Sequence, residues 1–109
     1  MILYGIPTCD TCRKARKALE AAGQDVTFRD LRADPLAPED IARFHATFGD
    51  KLLNRASTTW RGLDEATRAQ PFAELLAAHP TLIKRPIIEG EALTLGWDKA
   101  AQATQLPAS

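Results

Sequence analysis

Ile2-Leu3-Tyr4-Gly5-Ile6-Pro7-Thr8-Cys9-Asp10-Thr11-Cys12-Arg13-Lys14-Ala15 is the stretch whose reading decides the fold. It opens on an apolar run, from Met1 to Tyr4, that is strand-like and too short for a helix. Gly5 and Pro7 break that run. From Asp10 the pattern turns helical: Ala15, Ala18, Leu19 and Ala22 share one stripe, with Arg13, Lys14, Arg16, Lys17 and Glu20 around it. Gly23 is a helix stop. Val26 and Phe28, with Asp30 and Leu31, suggest a second strand. A strand, a helix and a strand in this order are most economically two parallel strands joined by a crossover helix.

The rest of the chain extends this frame. Pro35 and Pro38 mark a loop, and Pro38-Glu39-Asp40 suits the first turn of a helix. Ile41, Phe44, His45 and Phe48 recur at helical spacing up to Gly49. The polar stretch from Asn54 to Arg61 shows no clear period. A helix is expected from about Phe72 to His79, closed by Pro80. Ile83 to Glu89 reads as a strand that begins through Pro86. Gly90-Glu91 is a hairpin turn, Ala92 to Leu95 the returning strand, and Trp97 to about Gln105 a last helix. The fold class is therefore α/β: β-α-β, a helical insertion at about 36–80, then β-β-α, with a mixed four-stranded sheet in a single domain over 1–109.

Composition narrows the function. At 45% hydrophobic and 26% charged, the chain is of ordinary globular make-up. A net charge of zero argues against direct nucleic-acid binding, which favours an excess of Lys and Arg. No apolar run approaches the roughly 18 residues of a membrane span, and no basic leader precedes the first strand. A cytoplasmic, monomeric protein is the expectation.

Cys9 and Cys12 are the only cysteines. A thiol at a helix start, with cationic neighbours such as Arg13, Lys14 and Arg16, is favoured to ionise, and the thiolate is the reactive form. Cys12, one turn deeper, has the spacing to attack a mixed disulfide on Cys9 or to form a disulfide with it. The blander alternatives are an inert buried pair or a zinc site. Four ligands are expected for structural zinc, and His45 and His79 lack the usual pairing, so no metal is assigned. Asp10 is read as a cap for the helix. Trp60 and Trp97 are read as core anchors.

The motif Tyr4-Gly5-Ile6, Cys9-Asp10-Thr11, Lys14-Ala15-Arg16 resembles the ArsC/Spx family, closest to its small YffB-like branch. The likeness continues through Leu52-Leu53-Asn54 and Thr58-Thr59-Trp60-Arg61. It resumes at His79-Pro80, at Leu82-Ile83-Lys84-Arg85-Pro86-Ile87-Ile88, and at Leu95-Gly96. The resemblance implies a thioredoxin-like fold with a cis-proline at Pro86 facing the thiol. It implies Cys9 as the nucleophile, with arginines binding an oxyanion. Arg85 matches one of them, Arg55 falls in the segment that supplies another, and Ala92-Leu93-Thr94-Leu95-Gly96 offers no third.

That family reading implies a glutathione-dependent thiol or arsenate-type reductase. Glutathione is the co-substrate, an oxyanion or a disulfide the substrate, and no cofactor stays bound. Glutaredoxin is a further candidate partner. The site residues are Cys9, Cys12, Arg85, Arg55 and Pro86. The Cys9–Cys12 pair also resembles the redox switch of Spx, and this leaves the alternative of a redox-sensing regulator that binds RNA polymerase.

Overall fold

Four strands form one mixed sheet: β1 (Ile2–Gly5), β2 (Thr27–Asp30), β3 (Ile87–Glu89) and β4 (Leu93–Leu95). Their spatial order in the computed structural model, which describes residues 1–106, is β2-β1-β3-β4. β1 runs parallel to β2, with Ile2 opposite Thr27 and Gly5 opposite Asp30. A parallel pair cannot be joined by a tight turn, and helix α1 (Asp10–Ala21) supplies the crossover. β3 is antiparallel to β1, with Tyr4 opposite Ile87, and antiparallel to β4 through the hairpin at Gly90 and Glu91. The mixed sheet expected from the sequence is the one observed.

α1 is amphipathic, but its buried stripe is Cys12, Ala15 and Leu19, which cluster with Leu3 and Ile88. Ala18 is half-buried, and Ala22 lies exposed at the C-cap. The core face therefore runs through Cys12 rather than through the terminal alanine. The helix ends where Gly23 adopts φ +84°. The Gly23 N–H bonds the Glu20 carbonyl and the Gln24 N–H bonds the Leu19 carbonyl, both at 3.0 Å. That double bond pattern satisfies the last carbonyls and needs a residue tolerant of the left-handed region.

The third strand is shorter than Ile83–Glu89. Pro86 has no N–H to give a ladder, so β3 begins after it. Ile83 forms an isolated antiparallel bridge with Leu53 instead, and the Lys84 N–H bonds the Leu52 carbonyl at 2.8 Å. The last helix, α6 (Lys99–Gln105), starts two residues after Trp97, because Asp98 caps it by accepting the Ala101 N–H at 2.8 Å. Trp97 packs half-buried against the core cluster. Gln105, 5% exposed, reaches the Ile88 and Ala92 carbonyls and the Thr94 hydroxyl with its amide nitrogen. It ties α6 to the β3–β4 hairpin.

Residue contacts divide the chain into two compact units: Met1–Asp34 with the segment from Arg85 onward, and Pro35–Lys84. The second holds α2 (Pro38–Phe48), α3 (Thr58–Gly62), α4 (Glu65–Arg68) and α5 (Phe72–Ala78). Ile41 and Phe44 of α2 are fully buried, and the His45 ring stacks on Phe72 with centroids 4.0 Å apart. The ambiguous stretch from Asn54 to Arg61 leads into α3, and α4 follows it. Ser57 Oγ accepts the Trp60 N–H at 3.1 Å, and Asp64 Oδ1 accepts the Thr67 N–H at 2.7 Å. Helices of about one turn are held by caps, not by an apolar stripe.

Candidate functional site

β1 stops at Gly5, and Ile6-Pro7-Thr8 turns the chain, closed by the Cys9 N–H on the Ile6 carbonyl at 3.0 Å. Cys9 is the N-cap of α1, with extended backbone (φ −80°, ψ 118°) and no conventional side-chain cap bond. Its carbonyl accepts the first helical bond, from the Arg13 N–H at 3.0 Å. The sulfur therefore lies at the mouth of the helix, where backbone N–H groups lack intrahelical acceptors. Cys9 is half-buried and Cys12 fully buried, and both are free thiols.

The β1–β3 register brings the end of one chain segment beside the start of another. Since Tyr4 faces Ile87, the residues just before β3 lie next to those just after β1. Arg85 is thereby placed against Cys9, and its guanidinium hydrogen-bonds the sulfur. Its Nε is shielded from solvent. The Arg85–Pro86 bond is cis, Pro86 is fully buried, and its carbonyl accepts the Gly96 N–H at 2.8 Å.

Partial burial alone would raise the Cys9 pKa. The Cys12 backbone N–H, the Cys12 thiol, and the hydrogen bond and charge of Arg85 outweigh it, and the Cys9 pKa falls below the ordinary thiol value. Burial acts in the same direction on Cys12 and there it prevails, pushing the pKa up to about 12, and the neighbouring Cys9 sulfur adds to the rise. The pKa values of two thiols three residues apart are thus driven in opposite directions.

The cation beside the thiol is Arg85, not the basic residues that follow it in sequence. Arg13 is exposed and paired with Asp10 at 2.6 Å, and Arg16 pairs with Glu20 at 3.1 Å and lies over Phe28. Lys14 is exposed too. Helical rotation carries these side chains to the outer face, away from the core face that holds Cys12. Asp10 accordingly bonds Arg13 rather than the helix N–H groups, and Cys9 takes the cap place instead.

Arg55 belongs to the Pro35–Lys84 unit, where it is exposed with its guanidinium 6.0 Å from the Trp60 ring centroid. Arg68 covers the same ring at 4.8 Å and donates to the Trp60 carbonyl at 2.8 Å. Trp60 is half-buried under these two guanidinium groups. β4, Leu93–Leu95, carries no arginine.

Gly5 is the residue that sequence reasoning passed over as punctuation. A Cβ there would stand 2.6 Å from Cys12 Sγ, a distance no Cβ tolerates. The signal was a glycine directly ahead of a turn that leads to two cysteines. Among the described residues, no group of three or more His, Cys, Asp or Glu gathers within metal-binding reach, and no helix is long and apolar enough to cross a membrane.

A thioredoxin-like protein with a cysteine at the mouth of its first helix is the class that this fold and site define. Residues 4–104 match the ArsC family, and the chain belongs to it. The YffB protein superposes with a TM-score of 0.87 at 39% identity, over 97% of this chain and 98% of that one. An arsenate reductase (ArsC) related protein from Brucella melitensis gives 0.70 at 40% identity, covering 94% and 91% of the two chains. The global transcriptional regulator Spx of Bacillus subtilis is 30% identical over 89% of this chain and 79% of that protein.

Proposed function

We propose that the protein is a glutathione-dependent thiol reductase of arsenate-reductase type, with Cys9 as its nucleophile. The observation that carries this reading is the Cys9 sulfur at the α1 N-cap, hydrogen-bonded by Arg85 and lowered in pKa. The Cys9 thiolate attacks a glutathionyl mixed disulfide. A Cys9–glutathione disulfide forms, and the substrate leaves as a thiolate that takes a proton from water. A second glutathione, as thiolate, then attacks the Cys9 adduct, departs as glutathione disulfide and restores the Cys9 thiolate. Net, one glutathione and the mixed disulfide become the free substrate thiol and glutathione disulfide. Glutaredoxin is an alternative reductant of the same adduct.

In this reading Arg85 meets the anionic substrate or a glutathione carboxylate, and Pro86 walls the site beside it. No bound cofactor or metal takes part, and the setting is the cytoplasm, with the protein acting as a monomer. Arsenate is the weaker substrate, because β4 lacks an arginine and each missing charge-assisted bond costs about 1.5–3 kcal/mol.

The test is a panel of a glutathionylated protein, a small mixed disulfide and arsenate, each with glutathione. Wild type should turn over the disulfides well and arsenate poorly. Cys9→Ser should turn over none of them while keeping its unfolding midpoint. Full activity in Cys9→Ser ends this reading.

A second reading is favoured by the contact between the two thiols. It makes the pair an Spx-like switch, in which a Cys9–Cys12 disulfide alters the affinity for RNA polymerase. Pull-down of the polymerase by oxidised and by reduced protein separates the two, since equal capture, or none, removes the regulator.

A further inference from the structure

Cys12 has the spacing of a resolving thiol but the surroundings of a core residue. It is fully inaccessible and clusters with Leu3, Ala15, Leu19 and Ile88. Its sulfur fills the space where position 5 would otherwise carry a side chain, since a Cβ on Gly5 would come within 2.6 Å of Sγ and 3.1 Å of the Cys12 Cβ. Strand β1 on one side and the core on the other hold that sulfur in place. From there both the backbone N–H and the thiol of Cys12 reach Cys9. Cys9 itself is fixed by the turn bond to Ile6 and by the helix bond from Arg13.

We propose that Cys12 is a positioning residue: its thiol, seated against Gly5, donates a hydrogen bond that holds the Cys9 thiolate, and it does not attack the mixed disulfide formed there. This inference rests on Cys9 as the nucleophile and makes the cycle depend on one thiol, with glutathione as the resolving partner. The reason is energetic. An attacking thiol must first lose its proton, and burial pushes the Cys12 pKa up to about 12, whereas a hydrogen-bond donor must keep its proton.

Two measurements test it. In the first, wild-type protein is treated with a small excess of glutathione disulfide and followed by intact mass. The Cys9 thiolate displaces glutathione thiolate and becomes Cys9–glutathione. A persistent single adduct supports the proposal. Loss of the adduct to a Cys9–Cys12 disulfide, with a second glutathione released, overturns it.

The second measurement is the pH profile of Cys9 alkylation by iodoacetamide, with peptide mass spectra to assign the site. Cys12→Ala should move the midpoint up by about one pH unit, and Gly5→Ala should move it the same way by displacing the sulfur. Cys12→Ser, which keeps a donor but cannot form a disulfide, should stay near wild type. An unmoved midpoint in folded Cys12→Ala refutes the donor role. Alkylation reads the thiolate without any substrate, so absent reductase turnover would bear only on the proposed function.

Discussion

Arg85→Met removes both the guanidinium bonded to the Cys9 sulfur and its charge, while keeping an unbranched apolar stem. A hydrogen bond to a charged group contributes about 1.5–3 kcal/mol. The Cys9 sulfur is only half-buried, so solvent screening puts the loss at the lower end, about 1.5 kcal/mol. At about 1.4 kcal/mol per pKa unit, the thiol should become about one unit less acidic. Below its pKa, Cys9 then has about a tenfold smaller thiolate fraction. A more basic thiolate is also a better nucleophile, with a Brønsted slope of about 0.4–0.5, so each ionised sulfur reacts about threefold faster. The two effects together predict alkylation by iodoacetamide about threefold slower at pH values below the Cys9 pKa and about threefold faster on the alkaline plateau. The two curves therefore cross. Arg85→Lys keeps the charge and should fall between them. Superimposable curves, in midpoint and in plateau, would refute Arg85 as the partner of the thiolate.

Three further perturbations act on the frame around the site. Gly23→Ala has open space for its Cβ but must hold φ +84°, so it should cost about 1–2 kcal/mol through the backbone alone, read as a lower urea midpoint. Gln105→Leu removes the donor shared by the Ile88 carbonyl, the Ala92 carbonyl and the Thr94 hydroxyl, and should cost about 1–3 kcal/mol in the same assay. Cys12 should make the fold alkali-sensitive: the unfolded thiol ionises near a pKa of about 8.5, so between there and about 12 the folded chain binds more protons and stability falls as pH rises. Cys12→Ala should lose less urea resistance over that window than wild type, and parallel losses would contradict the burial argument.

The first third of the chain was readable because its signals are local. The short apolar run, the break at Gly5 and Pro7, and the helix stop at Gly23 each act within a few residues, and they define β1, α1 and the place of Cys9. The cation was legible only through the family resemblance, which matched Arg85 to an anion-binding arginine, and not through the residues beside Cys9. Arg13, Lys14 and Arg16 are near Cys9 in sequence, yet helical rotation turns them outward. Arg85 reaches the sulfur through pairing between strands far apart in the chain. The core role of Cys12 stood only as the blander alternative, because spacing alone does not show that Cys12 packs against Gly5. α3 and α4 hid because single-turn helices carry caps, Ser57 and Asp64, but no period to detect. The start of β3 was overextended because Ile83 is as strand-like as Ile87, and only Leu53 explains its different partner.

The antiparallel ladder between β1 and β3 has a consequence for the protein's synthesis. Cys9 is made long before Arg85, and the two meet only when Tyr4 pairs with Ile87. Closing so long a loop comes late, because its entropy must be met before the contact is rewarded. A chain still emerging from the ribosome carries Cys9 without the guanidinium that favours its thiolate in the complete fold. Completion of the sheet therefore adds the Arg85 contribution to the one that Cys12, within the same helix, already makes.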